Sequence, residues 1–433
     1  MLDQALRAAN DRDESSVGDS GIKRLRVALI GNFPPRRCGI ATFTCDVHDA
    51  LVGAARPILC DVVAMSENNA RYDYAGAVTY EVRQDELADY VNTAAAINAS
   101  DVDVVCLQHE YGIFGGPAGE HILSLLYNVR QPVVTTLHTI LQNPTRDQRR
   151  TLDAIIARSA KVIVMAEKGK AILREAYDVP PHKICVIPHG APDAPLAESN
   201  DFKPALGLEK REVLLTFGLL SPNKGIETII RAMPAIKAAR PDALYVILGA
   251  THPHLIAQEG EAYRERLIAL AEECDVSDAV RFVNSYVDRE TLLAYLSACD
   301  VYVSPYLNEA QITSGTITYA VALGRPVVST PYWHARELLA DEVGLLVDFN
   351  DSAGFARDCA ALLSDPELRE RAFALALDPR VNGREALATL LGRGGLPRKP
   401  SRRRRPPTVR PSTRKSRHCE SGWRNSRGCR CLP

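Results

Sequence analysis

The sequence predicts an α/β protein with two doubly wound, Rossmann-like domains, and three observations support this fold class. Short apolar segments alternate with segments of helical periodicity along residues 25–187. A second alternation begins at residue 213 and continues to residue 363. Residues 192–210, between the two runs, are rich in Pro, Ala, Asp and Lys and have weak periodicity. Because such alternation is typical of parallel sheets, we expect two domains that face each other across a cleft.

In the first half, apolar runs bounded by loop residues mark each strand, because strands of a parallel sheet are buried on both faces. The first strand leaves into a loop with two prolines and a glycine, and a helix follows. The predicted strands are residues 25–31, 58–64, 77–82, 102–107, 133–137, 162–165 and 184–187. The predicted helices are residues 41–52, 86–97 and 146–158.

The second half repeats this pattern. Its strands are predicted at residues 213–218, 245–248, 280–283, 301–305, 327–328 and 343–347. Its helices are predicted at residues 226–239, 259–274, 290–299, 316–323 and 352–363. The polar loop 308–315 lies between a strand and a helix, where open α/β sheets bind ligands and helix N–H groups favour a phosphate. An ordinary strand-to-helix connection is the alternative.

Composition indicates a cytoplasmic globular protein, with 46% hydrophobic and 24% charged residues. No apolar run is long enough to span a bilayer, and residues 1–22 lack the apolar core of a secretory signal. Eight of the eleven cysteines are scattered through the body without metal-ligand spacing, which favours reduced thiols. We expect a disordered leader (1–22), two domains (23–197 and 205–377) and a basic, disordered tail (378–433).

Charge is distributed unevenly. Residues 393–433 contain 14 Lys and Arg and one Glu, so the rest of the chain carries a net charge of −14. The acidic body argues against nucleic acid as a partner. The tail has two interpretations that composition leaves open: a basic arm that contacts an anionic membrane, or a frame-shifted end.

Five motifs, in order along both halves, carry a family resemblance. Residues 23–375 resemble the GT-B fold, retaining glycosyltransferases of family 4, also called group 1. The motifs are Pro34-Pro35 with Gly39-Ile40-Ala41, Thr135-Thr136-Leu137-His138, Val186-Ile187-Pro188-His189-Gly190, Gly218 with Ser221-Pro222-Asn223-Lys224-Gly225, and Ala322-Leu323-Gly324-Arg325-Pro326.

The resemblance implies transfer of a hexose from a nucleotide diphosphate-sugar to a sugar or lipid-linked acceptor, with retained configuration. It implies no cofactor and no obligatory metal, and it makes the first domain the acceptor domain and the second the donor domain. The implied catalytic residues are His138 and Lys224, and Glu309, two residues before the position of a missing family glutamate, is the candidate to substitute for it. The implied donor-binding residues are Gly218, Lys224, Gly249, Gln311, Thr313, Ser314, Gly315, Thr316 and Tyr319. The implied acceptor or cleft residues are Arg36, Gly39, His109 and Glu110.

The chain departs from the family pattern at two acidic positions. Counting back from the Gly-x-Pro motif places Gln311 and Tyr319 where the family has glutamates, and Leu219 where it has an arginine. These departures support an alternative class, a non-catalytic or degraded binding protein. The Asp101-Val102-Asp103 triplet resembles a metal-binding motif, but it begins a strand, so we interpret it as a strand cap.

Overall fold

Two parallel sheets organise the chain, and the predicted fold class is confirmed. The computed structural model describes residues 24–54, 58–68, 70–74, 76–192, 194, 198–340, 343–365 and 367. The predicted leader and basic tail therefore lie outside the described residues.

The first sheet has seven parallel strands in the order β3-β2-β1-β4-β5-β6-β7. Its central strands are largely apolar, as expected for a sheet covered by helices on both faces, and β4 is buried along its whole length, whereas the edge strand β3 is mixed in polarity. The strands are β1 (Arg26–Gly31), β2 (Leu59–Ser66), β3 (Val78–Arg83), β4 (Val104–His109), β5 (Val133–Leu137), β6 (Lys161–Val164) and β7 (Ile184–Val186). Its helices are α1 (Gly39–Val52), α2 (Leu87–Ala99), α3 (Ile122–Leu126), α4 (Arg146–Arg158) and α5 (Glu167–Ala176).

The second sheet has six parallel strands in the order β10-β9-β8-β11-β12-β13. The strands are β8 (Glu212–Phe217), β9 (Ala243–Leu248), β10 (Val280–Val283), β11 (Val301–Ser304), β12 (Val327–Ser329) and β13 (Leu345–Leu346). The helices are α6 (Ser199–Phe202), α7 (Ile226–Ala239), α8 (Pro253–Glu259), α9 (Ala262–Glu273), α10 (Arg289–Ala298), α11 (Gly315–Ala322), α12 (Trp333–Leu338) and α13 (Ser352–Ser364). In both sheets the strand order reverses beside the first strand, which opens a crevice at the carboxyl ends of the strands.

Helices α3, α5, α8 and α12 were not predicted from the sequence, and two stretches contradict the prediction. The helix predicted for residues 259–274 is wrong at its start, because Gly260 has a φ of 64° and separates α8 from α9. The segment predicted as a linker contains α6, and the Lys203 ammonium lies 2.7 Å from a carboxylate oxygen of Asp300. Both of these side chains are largely buried, so residues 199–203 pack on the second domain.

Candidate active site

A chain of hydrogen bonds links Lys224 to the first turn of α11. The Lys224 ammonium lies 4.1 Å from the centroid of the Tyr306 ring and donates to the Tyr306 hydroxyl. That hydroxyl lies 2.9 Å from Thr316 Oγ1, which lies 3.1 Å from Ser314 Oγ. Within the described ranges, the partners of Lys224 are therefore a ring and a hydroxyl, and no carboxylate neutralises its charge.

The first turn of α11 lacks a side-chain cap. Ser314 occupies the cap position, but its side chain makes no capping hydrogen bond, and its N–H donates to Nδ1 of the buried His334 at 2.9 Å. Among the described residues, no acceptor is found for the N–H groups of Gly315, Thr316 and Ile317. Unsatisfied N–H groups and the helix dipole attract negative charge here, beside an unneutralised lysine.

Gly218 and Gly249 bring the exits of β8 and β9 together. Gly249 has a φ of 157°, and a Cβ added there would lie 2.0 Å from the Gly218 carbonyl oxygen. Gly218 has a φ of 117°, and its added Cβ would lie 3.4 Å from Lys224 Nζ. Glycine is thus needed at residue 249 for the close backbone approach, and Gly218 borders the lysine directly.

In the first domain, His138 directly follows β5. Its Nε2 lies 3.0 Å from Gln108 Oε1, and its ring meets Phe43 edge-on at 4.7 Å. Burial, with the charges of His189 and His109, lowers the pKa of His138 to about 3, so the imidazole is neutral at pH 7. With the amide oxygen of Gln108 as acceptor, Nε2 carries the proton and Nδ1 becomes the acceptor nitrogen.

His189, from the first domain, packs on α11 of the second domain. It follows β7, and its Nδ1 lies 2.7 Å from the Gly190 carbonyl oxygen. A Cβ added to Gly315 would lie 2.9 Å from His189 Nε2, so this ring packs closely on the first residue of α11. Burial lowers the pKa of His189, which keeps its ring neutral at this contact.

The exit of β4 carries His109 and Glu110. The Glu110 carboxylate accepts from the Tyr111 N–H at 2.9 Å and from the Thr139 hydroxyl at 2.5 Å, and burial raises its pKa. His109 is fully buried, 5.0 Å from the Tyr111 ring and stacked on Phe114 at 6.1 Å. The structure therefore encloses His109 among rings, and the roles of both residues toward an acceptor stay predictions.

Arg36 is held within the first domain. Its guanidinium donates to Asn32 Oδ1 at 3.1 Å and to the Met65 carbonyl at 3.2 Å, and it pairs with Glu67 at 3.0 Å. Gly39 starts α1, and nothing lies within 4 Å of a Cβ added there. Contact of either residue with a ligand stays a prediction.

The loop before α11 is held by the start of α12. The Trp333 N–H donates to the Glu309 carbonyl at 3.0 Å, and the His334 N–H donates to the Gln311 carbonyl at 3.1 Å. The Gln311 side chain donates to the Thr313 carbonyl at 2.6 Å, while the exposed Glu309 carboxylate pairs with Arg336 at 3.2 Å. The roles predicted for Glu309, Gln311 and Thr313 stay predictions.

Tyr319, at the position of the second missing acid, connects the two domains. Its hydroxyl donates to Asp46 Oδ2 at 2.7 Å, and Asp46 Oδ1 lies 3.1 Å from a guanidinium nitrogen of Arg289. Nearby, the hydroxyls of Thr42 and Tyr286 lie 2.9 Å apart. Burial, followed by the Asp46 charge, raises the pKa of Tyr319, so the hydroxyl keeps its proton and donates.

The sequence analysis did not single out three residues that the structure brings to this region: Tyr306, Thr42 and Asp46. Tyr306 follows β11, so its strand-exit position was an available signal. The four-residue spacing of Thr42 and Asp46 on α1 was a second signal, because it places both on one helix face. Residues 108–116 and 332–334 stood out as more elaborate than the common family pattern, but the contact of His334 with Ser314 depends on the folded loop.

Metal-ligand side chains do not cluster in the described residues. No group of three or more His, Cys, Asp or Glu side chains there has an arrangement that could hold a metal ion. The Asp101 carboxylate lies 3.2 Å from the Arg26 guanidinium, and the Asp103 carboxylate accepts from the Arg26 N–H at 2.9 Å. These contacts fit the interpretation of Asp101-Val102-Asp103 as a strand cap. No helix among the described residues has both the length and the apolar composition to cross a membrane.

Comparison with protein families assigns both halves of the chain. Residues 39–194 match the family model described as Glycosyltransferase Family 4, and residues 198–374 match the model described as Glycosyl transferases group 1. This chain is a family 4, group 1 glycosyltransferase. The predicted class of enzyme and the GT-B assignment are thereby confirmed.

Two relatives of this glycosyltransferase are both named D-inositol 3-phosphate glycosyltransferase. The protein from Corynebacterium efficiens is 30% identical over 261 residues, 56% of this chain and 60% of the relative. The protein from Corynebacterium glutamicum strain R is 26% identical over 346 residues, 75% of this chain and 80% of the relative. The chain thus spans less than two thirds of the first relative and four fifths of the second.

Solved structures agree with the glycosyltransferase fold. Sucrose-phosphate synthase from Thermosynechococcus elongatus superimposes with a TM-score of 0.62 at 21% identity, covering 85% of this chain and 95% of that one. HepE from Anabaena, solved with UDP and glucose, superimposes with a TM-score of 0.61 at 15% identity, covering 84% and 95%. At these identities the likeness extends to the fold alone.

Proposed function

We propose that this glycosyltransferase moves a hexose from a nucleoside diphosphate-sugar to a hydroxyl of a sugar or lipid-linked acceptor, with the anomeric configuration retained. The observation that carries the proposal is the unneutralised Lys224 beside the open first turn of α11. The solved relative with UDP and glucose, and the relatives described as acting on an inositol phosphate, support the donor and acceptor classes.

Charge develops on the leaving diphosphate as the sugar bond breaks. Lys224 and the N–H groups of Gly315 and Thr316 are donors fixed before the reaction, so they stabilise that charge without reorganisation. This preorganisation lowers the barrier in a way that a mobile lysine in water would not. In the front-face route of the family, the bond between the anomeric carbon and the diphosphate oxygen breaks and a bond from that carbon to the acceptor oxygen forms. The acceptor hydroxyl proton passes to an oxygen of the leaving diphosphate.

The first domain provides a neutral polar group, the His138 imidazole, for the sugar. His138 is uncharged at pH 7 because burial lowers its pKa to about 3. A neutral imidazole oriented by Gln108 can accept a hydrogen bond from a sugar hydroxyl without repelling a positively charged transition state.

A donor panel tests the proposal. The full chain is incubated with UDP- and GDP-hexoses, and thermal stabilisation and release of free nucleotide are measured. Stabilisation with slow hydrolysis supports the enzyme, binding without any turnover supports the non-catalytic class, and absence of both contradicts a nucleotide-sugar site. The anomeric configuration of a product, determined by NMR, decides retention.

Lys224→Ala is expected to reduce transfer about 10- to 150-fold, because a charge-assisted contact to phosphate contributes about 1.5–3 kcal/mol. Lys237→Ala is the matched control, since Lys237 lies on α7 of the same domain and pairs with the exposed Asp278 at 2.7 Å. Turnover should be unchanged in the control, and unchanged turnover in Lys224→Ala would remove this residue from the mechanism.

A further inference from the structure

Tyr306 is fixed by packing at the exit of β11. Its side chain is almost fully buried, and its ring stacks on Tyr332 with centroids 5.3 Å apart and an interplanar angle of 17°. The Tyr332 hydroxyl lies 3.0 Å from Ser304 Oγ, so the supporting ring is anchored as well. A stacked, buried ring has few alternative rotamers, and its hydroxyl therefore stays at one place.

The hydrogens around that hydroxyl can be assigned from chemistry. The Lys224 ammonium has donors only, so the Tyr306 oxygen accepts from it. The Tyr306 proton is then available to Thr316 Oγ1 at 2.9 Å, and the Thr316 proton to Ser314 Oγ at 3.1 Å. The order of donation runs from Lys224 to Tyr306, Thr316 and Ser314, which fixes two hydroxyls at the start of α11.

The chemistry of a phenol suits this position. A lysine side chain loses about 2 kcal/mol of rotamer entropy when it is held in one place, so a partner is needed to hold it. A carboxylate would hold it but would neutralise the charge and compete with an anionic ligand. The face of the Tyr306 ring and its hydroxyl attract the ammonium without carrying a net charge, so the full charge remains for the ligand.

We propose that Tyr306 is a positioning residue for the diphosphate of the donor. It holds Lys224 and the Thr316 hydroxyl in their binding geometry before the nucleotide arrives. The inference rests on the proposed function, because it assigns Tyr306 a role in that same donor site.

The test compares three variants by calorimetric titration with UDP and with GDP. Tyr306→Phe keeps the ring and loses the hydroxyl, and the dissociation constant of whichever nucleotide binds the wild type is expected to rise about tenfold. Tyr306→Leu loses both interactions and is expected to approach Lys224→Ala. Tyr263→Phe is the matched control, because it removes a buried hydroxyl of the same domain that lies 3.3 Å from Glu227 and contacts neither Lys224 nor α11.

A double variant and the melting temperatures of the variants distinguish positioning of Lys224 by Tyr306 from a purely structural role of Tyr306. Because Tyr306 acts through Lys224, Tyr306→Phe in the Lys224→Ala background is expected to change the dissociation constant less than twofold, within the usual error of additivity. Tyr263→Phe is expected to lower the melting temperature with nucleotide affinity unchanged.

Two results would overturn the role of Tyr306 alone: equal affinity of wild type and Tyr306→Phe, or additive losses in the double variant. If neither UDP nor GDP binds the wild type, the proposed function fails, and the role of Tyr306 fails with it.

Discussion

Besides His138 and His189, two further buried histidines couple protonation to folding. His109 is fully buried, and burial lowers its pKa to about 4. His334 is also buried, and its Nδ1 accepts from the Ser314 N–H, which requires that nitrogen to be unprotonated. Burial, followed by the charge of His189, lowers the pKa of His334 to about 3.

Stability should therefore fall in mild acid. In the unfolded chain each histidine has a pKa of about 6.5, so below that value the unfolded state binds more protons than the folded state. The stabilising contribution is full above pH 6.5 and is lost as the pH falls toward 4 for His109 and toward 3 for His334, by at most about 1.4 kcal/mol per pH unit each. Urea unfolding at pH 7.5, 6 and 5 measures this slope.

His109→Phe removes the titrating imidazole of this residue and keeps an aromatic ring beside Tyr111 and Phe114. We expect a shallower loss of unfolding free energy between pH 6.5 and 5 than in the wild type. An identical slope in the two proteins would mean that His109 is not the neutral, buried base described above.

At the level of single residues, the sequence was informative only where chemistry and local position coincide. Lys224 was found because it lies in a motif of the family resemblance, at the start of a predicted helix whose N–H groups favour a phosphate. Tyr306 was not found, because its partner Lys224 is 82 residues away and a tyrosine after a buried strand is also a common core residue. Contacts of this range depend on the register of the sheet, which no local pattern encodes.

The helix α11 is the element on which the candidate site depends. Its strand, loop and helix order was predicted correctly, because the apolar periodicity and the Gly-Arg-Pro stop signal are local features. The packing of His189 on its first residue was not predictable, since that contact brings the exit of β7 to the other sheet.

Gly315→Ala tests this packing. The added Cβ would lie 2.9 Å from His189 Nε2, too close for an unshifted ring, so we expect a loss of about 1–3 kcal/mol in stability together with reduced transfer. Gly190→Ala is the control, because nothing lies within 4 Å of its added Cβ. Thermal melting and turnover are measured for both, and equal behaviour of the two variants would contradict the close packing.

Across the whole molecule, side chains of the two domains meet at several points. Asp46 of α1 binds Tyr319 and Arg289, and the Glu337 carboxylate accepts from the N–H groups of Glu167 and Lys168 at 2.7 and 3.2 Å. The latter contact caps the start of α5, where Ala166 provides no side-chain acceptor. The two Rossmann-like domains are thus joined by specific polar contacts as well as by the chain.

Asp46→Ala should loosen this arrangement. It removes the acceptor of Tyr319 and the partner of Arg289, so we expect a larger radius of gyration in small-angle scattering of the free protein, with both sheets intact by circular dichroism. Asp49→Ala is the control on the same helix, because Asp49 pairs with His48 rather than with the second domain. If scattering does not distinguish the two variants, Asp46 does not restrain the domains.

The division of strands between the sheets also sets an order during synthesis. All seven strands of the first sheet lie before residue 187, so this domain can complete its hydrogen bonding while the second is still being translated. The hydrogen bond between Asp46 and Tyr319, in contrast, forms only later, because Tyr319 lies 273 residues further along the chain. A nascent chain released after residue 187 would therefore carry a finished first domain without the partner of Asp46, and this contact between the domains forms only after residue 319 has been translated.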